Sequence, residues 1–86
     1  MDDEELGWVK ASSYRQTILR KLHGDRKLTP KEIKNGTDYY LSHVSNTLSD
    51  LEDRGLVECL TPDLRKGRLY TLTEKGEEIA RAIEDV

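Results

Sequence analysis

Residues 29–55 read TPKEIKNGTDYYLSHVSNTLSDLEDRG and contain two consecutive helical patterns. Thr29 is a helix N-cap residue, Pro30 suits the first helical position, and Glu32 stands where its carboxylate reaches back to the cap. The pair Asn35-Gly36 ends this helix within two turns. A short helix followed at once by a second helical pattern is typical of a helix-turn-helix.

The second helix of this motif begins between residues 37 and 42. It ends at Arg54, because Gly55 supplies the left-handed conformation that closes a helix at little cost. At about 100° per residue, one stripe of this helix is apolar and the opposite face is polar. The stripe that we predict to be buried consists of Leu41, Val44, Leu48 and Leu51. The face that we predict to be exposed consists of Tyr39, Ser42, His43, Asn46, Asp50 and Asp53.

Another helix is predicted ahead of the motif. Ser13 with Gln16 three residues later fits a capping box, and apolar residues then recur at helical spacing. This helix should stop at Gly24. Between it and the motif, residues 27–29 can add a short strand.

A hairpin and a last helix are predicted after the motif. Residues 56–60 and 68–72 are short runs rich in apolar and β-branched residues, and the loop over residues 61–67 contains a proline and a glycine. Thr73 caps the last helix, in whose first turn Gly76 is unfavourable. Three helices, a β-hairpin wing and a C-terminal helix in this order predict an α+β, mainly α, winged helix-turn-helix fold.

Length and composition indicate one small domain. The 86 residues are 35% hydrophobic and 36% charged, and two cores would leave each half too small to fold without disulfides or metals. We predict an acidic, partly disordered tail over residues 1–10 and one domain over residues 11–86. Cys59 is the single cysteine, so no internal disulfide forms. No signal peptide or membrane span is recognisable, which predicts a cytoplasmic protein.

The distribution of charge matters more for function than its sum. The formal net charge is −3, with acidic residues crowded at both ends of the chain. Residues 6–73 carry 12 basic and 8 acidic side chains, which leaves this middle section at +4. The middle of the chain is therefore compatible with a polyanionic partner.

Two groups of side chains could contact double-stranded DNA. A polar stripe on one helix is most often only its solvated face, but here a basic loop accompanies it. We predict base contacts in the major groove from Ser42, His43 and Asn46, because short hydrogen-bonding groups near a helix start can reach base edges. We predict phosphate or minor-groove contacts from Lys31, Lys34, Arg65, Lys66 and Arg68, the last three forming the wing.

The chain resembles the small archaeal winged-helix transcription regulators that are related to the MarR and ArsR groups. The resemblance is carried by LSHVS at residues 41–45, GLVECLTP at residues 55–62 and RKGRLYTLTEKG at residues 65–76, together with Leu48 and Leu51-Glu52. It implies a DNA-binding regulator with a recognition helix over residues 40–54 and a wing over residues 61–68. It also implies that the base-reading set includes Ser45 beside Ser42, His43 and Asn46.

The wing also carries a short motif of this family. Asp63-x-Arg65 is similar to the MarR wing motif, in which the arginine contacts DNA. The chain departs from the pattern in two places: Asn46 stands where many relatives have a basic residue, and Asp50 with Asp53 makes the far end of the exposed face acidic. Base contacts are therefore expected from the N-terminal half of the helix.

Metal binding and catalysis are not predicted. Cys59 lies on a predicted strand, while His23 and His43 lie on separate helices, so no ligand cluster forms. Ser42 and His43 are sequence neighbours whose side chains diverge on a helix, and no glycine elbow surrounds the serine. We therefore expect no enzyme activity and no cofactor.

Several questions stay open at the level of sequence. A winged helix can also serve as a protein-interaction module without sequence-specific DNA binding. A homodimer is expected, because many helix-turn-helix proteins read two half-sites. The residues predicted for its interface are Trp8, Val9, Ile79, Ile83 and Val86, which could instead complete the core of a monomer. Tyr70 is predicted to be a core residue, whereas Tyr39 and Tyr40 could touch DNA or pack the turn.

Overall fold

The computed structural model describes residues 3–84, which form helices around one two-stranded sheet. The order of elements is that of a winged helix-turn-helix, as predicted. In chain order the elements are α1 (Asp3–Lys10), α2 (Ser13–Leu22), α3 (Pro30–Lys34), α4 (Leu41–Asp53), β1 (Val57–Cys59), β2 (Tyr70–Leu72) and α5 (Glu74–Glu84).

The helix-turn-helix consists of α3 and α4, and its capping box forms as predicted. The Glu32 backbone N–H donates to Thr29 Oγ1 over 3.2 Å, and the Thr29 N–H donates to Glu32 Oε1 over 2.9 Å. Helix α4 is closed by Arg54 and then by Gly55, whose φ is +76°. These two caps place the start of α3 and the end of α4.

Helix α2 begins one residue earlier than predicted. Ser12, in an extended conformation, is the N-cap, and its Oγ accepts a hydrogen bond from the Arg15 N–H over 3.3 Å. Ser13 is already helical, so the predicted box of Ser13 with Gln16 was wrong. The Gln16 amide instead donates to the Lys10 carbonyl over 2.8 Å, which ties α2 to α1.

The two strands pair antiparallel and are shorter than the predicted runs. The register opposes Val57 with Leu72 and Cys59 with Tyr70. Leu28 forms an isolated bridge to Tyr70, with reciprocal N–H to carbonyl bonds of 3.0 and 2.8 Å. The short third strand predicted at residues 27–29 is therefore a single bridge.

The apolar core joins all the helices to the sheet. Its members share low exposure: Val9, Ile18, Leu19, Leu22, Ile33, Val44, Leu48, Leu51, Leu56, Val57, Tyr70, Leu72, Ile79, Ala80 and Ile83. The prediction that Tyr70 is a core residue is confirmed. The prediction that Leu41 is buried was wrong, since this side chain is 46% exposed. Leu41 is the first residue of α4 and faces the cleft between this helix and the wing, where the fold leaves it uncovered.

The segment expected to be an acidic tail contains helix α1, which packs on the domain. Its acidic first turn suits the positive end of a helix dipole. Glu5 is 6% exposed and forms ion pairs with Arg54 at 3.3 Å and with Lys75 at 3.6 Å. The guanidinium groups of Arg15 and Arg54 lie over the Trp8 ring, at 3.8 and 4.1 Å from its centre. These contacts fasten α1 to α2, α4 and α5.

The residues predicted for a dimer interface lie mainly in this chain's own core. Val9, Ile79 and Ile83 are 0%, 1% and 5% exposed, so they offer no surface to a partner. Trp8 is half-buried with two arginines over its ring, and Val86 lies outside the described residues. The interface assignment was therefore wrong for the three core residues, because one small core needs their apolar area itself. The homodimer stays a prediction.

Candidate nucleic-acid interface

The start of α4 presents the predicted polar side chains to solvent. Ser42, His43, Ser45 and Asn46 are all exposed, and the buried positions Val44 and Leu48 hold this helix on the core. The hydrogen-bonding groups thus project from a helix that is itself fixed. These side chains lie on two sides of α4: His43 faces α2, and Ser45 faces the wing.

One side of α4 faces α2 through aromatic contacts around His43. The Tyr14 hydroxyl lies 3.4 Å from His43 Nδ1, and the Tyr14 and Tyr40 rings each meet the imidazole edge to face at 5.6 Å between ring centres. Tyr39 stacks on Tyr14 at 4.0 Å, and its hydroxyl lies 3.0 Å from Thr17 Oγ1. Tyr39 therefore packs the turn, whereas Tyr40 is 71% exposed beside His43.

The other side of α4 faces the wing across an open cleft of about 620 Å³. Ser45 lines this cleft with Lys31 from the start of α3 and with Arg65 and Lys66 from the wing. Leu41 and Tyr70 contribute apolar surface. The fold thus brings together hydrogen-bonding, basic and apolar groups that are up to 41 positions apart in the chain.

The predicted basic residues differ in their availability. Arg65 and Lys66 are exposed, and neither makes a hydrogen bond or ion pair with any residue from 3 to 84. Lys31 is exposed at the cleft, while Lys34 is half-buried and does not line it. Arg68 is half-buried, and its guanidinium donates to carbonyls of the wing itself. The four cations that line the cleft, Lys31, Arg65, Lys66 and Arg68, therefore form no ion pair with any residue from 3 to 84. Of these four, Arg68 donates its hydrogen bonds to backbone carbonyls.

The far end of the exposed α4 face is acidic, as the sequence indicated. Asp50 and Asp53 are exposed and share a shallow pocket with Trp8, Arg15 and Arg54. This pocket belongs to the α1 attachment rather than to the wing side. A polyanion would therefore meet favourable charge at the N-terminal half of α4 and repulsion at its C-terminal half.

Sequence reasoning missed one residue of this face, Tyr14. For Tyr40, which the sequence leaves between DNA contact and packing of the turn, the structure shows an exposed side chain beside His43. Spacing within one helix does not reveal that Tyr14 meets His43, 29 positions away. The available signal was the adjacent pair Tyr39-Tyr40 just before α4, because tyrosine hydroxyls can bind phosphate oxygens.

Metal-ligand clusters and membrane-spanning helices are two other features that would indicate a different function. No three potential metal ligands come together among residues 3–84. The Cys59 thiol is free and half-buried on β1. No described helix combines the length and apolarity that a membrane crossing requires.

The arrangement of α3, α4 and the β1–β2 wing defines a winged helix-turn-helix, and comparison with solved structures shows that this fold is MarR-like. The reduced form of MarR from E. coli is 25% identical, with a TM-score of 0.77 over 95% of this chain and 61% of that one. NMB1585, a MarR family regulator from Neisseria meningitidis, is 25% identical, with a TM-score of 0.78 over 96% of this chain and 59% of that one.

A third similar structure is the S. aureus MepR–DNA complex, at 22% identity and a TM-score of 0.76, covering 96% of this chain and 69% of MepR. At that identity the likeness concerns the fold. The chain thus spans about three-fifths of the length of MarR and of NMB1585. No family model and no curated protein sequence matches the chain.

Proposed function

We propose that this chain is a DNA-binding transcription regulator. The N-terminal half of α4 enters the major groove, and the wing lies on the phosphate backbone or in the adjacent minor groove. The observation that carries this proposal is that the start of α4 exposes Ser42, His43 and Asn46, while Ser45 of the same helix lines a cleft with basic residues of the wing, Arg65 and Lys66. The likeness to MarR family regulators supports the same assignment.

The division of labour within the face follows from its chemistry. Asn46 can donate to and accept from adenine in a bidentate manner, and His43 can address guanine or a phosphate. Tyr14 and Tyr40 flank His43 and add hydroxyl groups of the kind that contact phosphates. Lys31, Arg65 and Lys66 supply the charge that releases counterions from the duplex.

The first experiment is selection of bound fragments from a random duplex library at low salt. It tests DNA binding and returns the preferred site together. Binding that weakens steeply with added salt supports the proposal. Salt-insensitive association with a protein, and no retained duplex, would instead support an interaction module.

Replacing Arg65 and Lys66 together by alanine is expected to weaken binding to all duplexes alike. Two phosphate contacts are lost, so the slope of log affinity against log salt should flatten by roughly 1.8, at about 0.9 per phosphate. The fold is retained, since both side chains are exposed at a loop. Affinity measured at four or more salt concentrations provides the test.

The matched control removes the same two positive charges from helices outside the wing. Lys10 on α1 and Arg81 on α5 are both exposed, and their replacement by alanine should change the slope far less. If the two double variants give equal slopes, the wing is only a solvated turn.

Replacing Asn46 or His43 by alanine is expected to change which sequence is preferred. Loss of one base contact should cost roughly 1–3 kcal/mol at the contacted base pair, with non-specific affinity nearly unchanged. The measurement compares every single-base variant of the selected site. Asp53→Ala, at the acidic end of the same face, is the control and should leave the base preference intact. If the base preference is also unchanged in Asn46→Ala and His43→Ala, this face does not read the DNA sequence.

A further inference from the structure

The wing is held by hydrogen bonds from a single arginine to its own loop. Arg68 Nε donates to the Leu64 carbonyl over 2.5 Å, and Arg68 Nη2 donates to the Pro62 carbonyl over 3.3 Å. The Leu64 N–H donates to the Thr61 carbonyl over 3.1 Å, which closes a turn over residues 61–64. One guanidinium therefore spans two carbonyls of that turn.

A threonine completes the same framework at the base of the wing. Thr61 Oγ1 accepts from the Leu69 N–H over 3.0 Å, and the Leu60 N–H donates to the Leu69 carbonyl over 2.8 Å. The loop is thus closed at its base by bonds to Leu69, next to the two strands, and its turn is held by Arg68. Gly67 adopts a φ of +68°, a conformation that glycine reaches at little cost.

The neighbouring cations have a different environment. Arg65 and Lys66 are exposed and make no hydrogen bond within residues 3–84, whereas Arg68 is half-buried and points its donors inward to carbonyls. A guanidinium presents a planar fork that can serve two acceptors at once, while a lysine ammonium is a single compact charge. The site therefore uses the geometry of arginine as well as its charge.

We propose that Arg68 is a positioning residue of the wing rather than one of its phosphate contacts. It holds the loop over residues 61–67 in the shape that presents Arg65 and Lys66 to the duplex. The effect on DNA binding rests on the proposed function. The pair of hydrogen bonds from Arg68 to the Leu64 and Pro62 carbonyls, which we call the brace, is present without DNA. This role replaces the expectation that Arg68 acts as a third phosphate ligand.

The brace can be tested on the protein alone by amide hydrogen exchange of Leu64 and Leu69. In Arg68→Lys and Arg68→Ala, exchange at both amides should quicken by roughly tenfold or more, the loss expected for a charge-assisted hydrogen bond. Arg65→Ala is the matched control and should leave both rates unchanged. Unchanged exchange in Arg68→Lys would overturn the proposal whether or not the chain binds DNA.

The consequence for DNA is tested with Arg68→Lys and Arg68→Ala. If Arg68 positions the wing, Arg68→Lys should lose roughly tenfold in affinity, as Arg68→Ala does, while Lys10→Ala on α1 keeps the parent's affinity. If Arg68→Lys keeps the parent affinity and only Arg68→Ala flattens the slope by about 0.9, Arg68 is a phosphate contact and the proposal is overturned. Absence of DNA binding by the parent would overturn the proposed function, and the exchange rates would then decide the brace alone.

Discussion

Gly76→Ala is expected to destabilise the domain severely. A Cβ at this position would overlap the Leu56 carbonyl oxygen and lie 3.3 Å from the Leu72 side chain. The obstacle is backbone, and the same carbonyl accepts the Thr73 N–H over 3.0 Å, so neither side can move without separating α5 from the sheet. We expect a loss of roughly 3 kcal/mol or more, at or above the upper end for overpacking.

Thermal and urea unfolding followed by circular dichroism measure this loss. For a domain of this size, 3 kcal/mol lowers the melting temperature by roughly 12–24 °C. Gly7→Ala is the matched control, because Gly7 also lies in a helix and a Cβ there meets no atom within 4 Å. That change should raise stability by about 0.5–1 kcal/mol. An unaltered melting temperature for Gly76→Ala would show that α5 is not packed this closely on Leu56.

Leu48→Ala should come second in magnitude. Leu48 is 0% exposed at the centre of α4, where it packs in the core shared with α2 and α3. Truncation removes buried apolar area and leaves a cavity, for which the expected loss is roughly 2–5 kcal/mol. Against the stability typical of small domains, this is sufficient to unfold much of the population.

Leu41→Ala tests whether burial in the structure, rather than membership of the apolar stripe, sets the loss of stability. Leu41 belongs to the same apolar stripe of α4 but is 46% exposed, so its truncation should cost less than about 1 kcal/mol. Both variants are compared by urea unfolding under identical conditions. Equal losses for Leu41→Ala and Leu48→Ala would contradict the exposure of Leu41.

Local patterns were sufficient for the order of elements. The capping box at Thr29 and Glu32 and the glycine closing α4 depend on groups within a few positions of one another, so their hydrogen bonds can be anticipated from spacing. The same holds for the exposed face at Ser42, His43 and Asn46, because helical periodicity places these residues opposite the core positions. The start of α2 was misplaced by one residue, since two consecutive serines offer equivalent caps.

Tertiary packing decided what periodicity leaves open. Val9 and Ile79 looked available for a partner chain, but they fill this chain's own core, because a small domain must use most of its apolar area. Gly76 looked like a weak point of α5, whereas the close approach of the Leu56 carbonyl requires a residue without a side chain.

In the candidate interface, too, some features follow from local sequence patterns and others from contacts between distant residues. The basic character of the wing was present in the sequence, but the different environments of Arg65 and Arg68 depend on where the loop carbonyls converge. The contact between Tyr14 and His43 joins residues 29 positions apart. Residue chemistry and helical spacing were enough to propose which side chains contact DNA. Which of these side chains lie close together on one surface depends on contacts between elements far apart in sequence, so it is seen only in the folded chain.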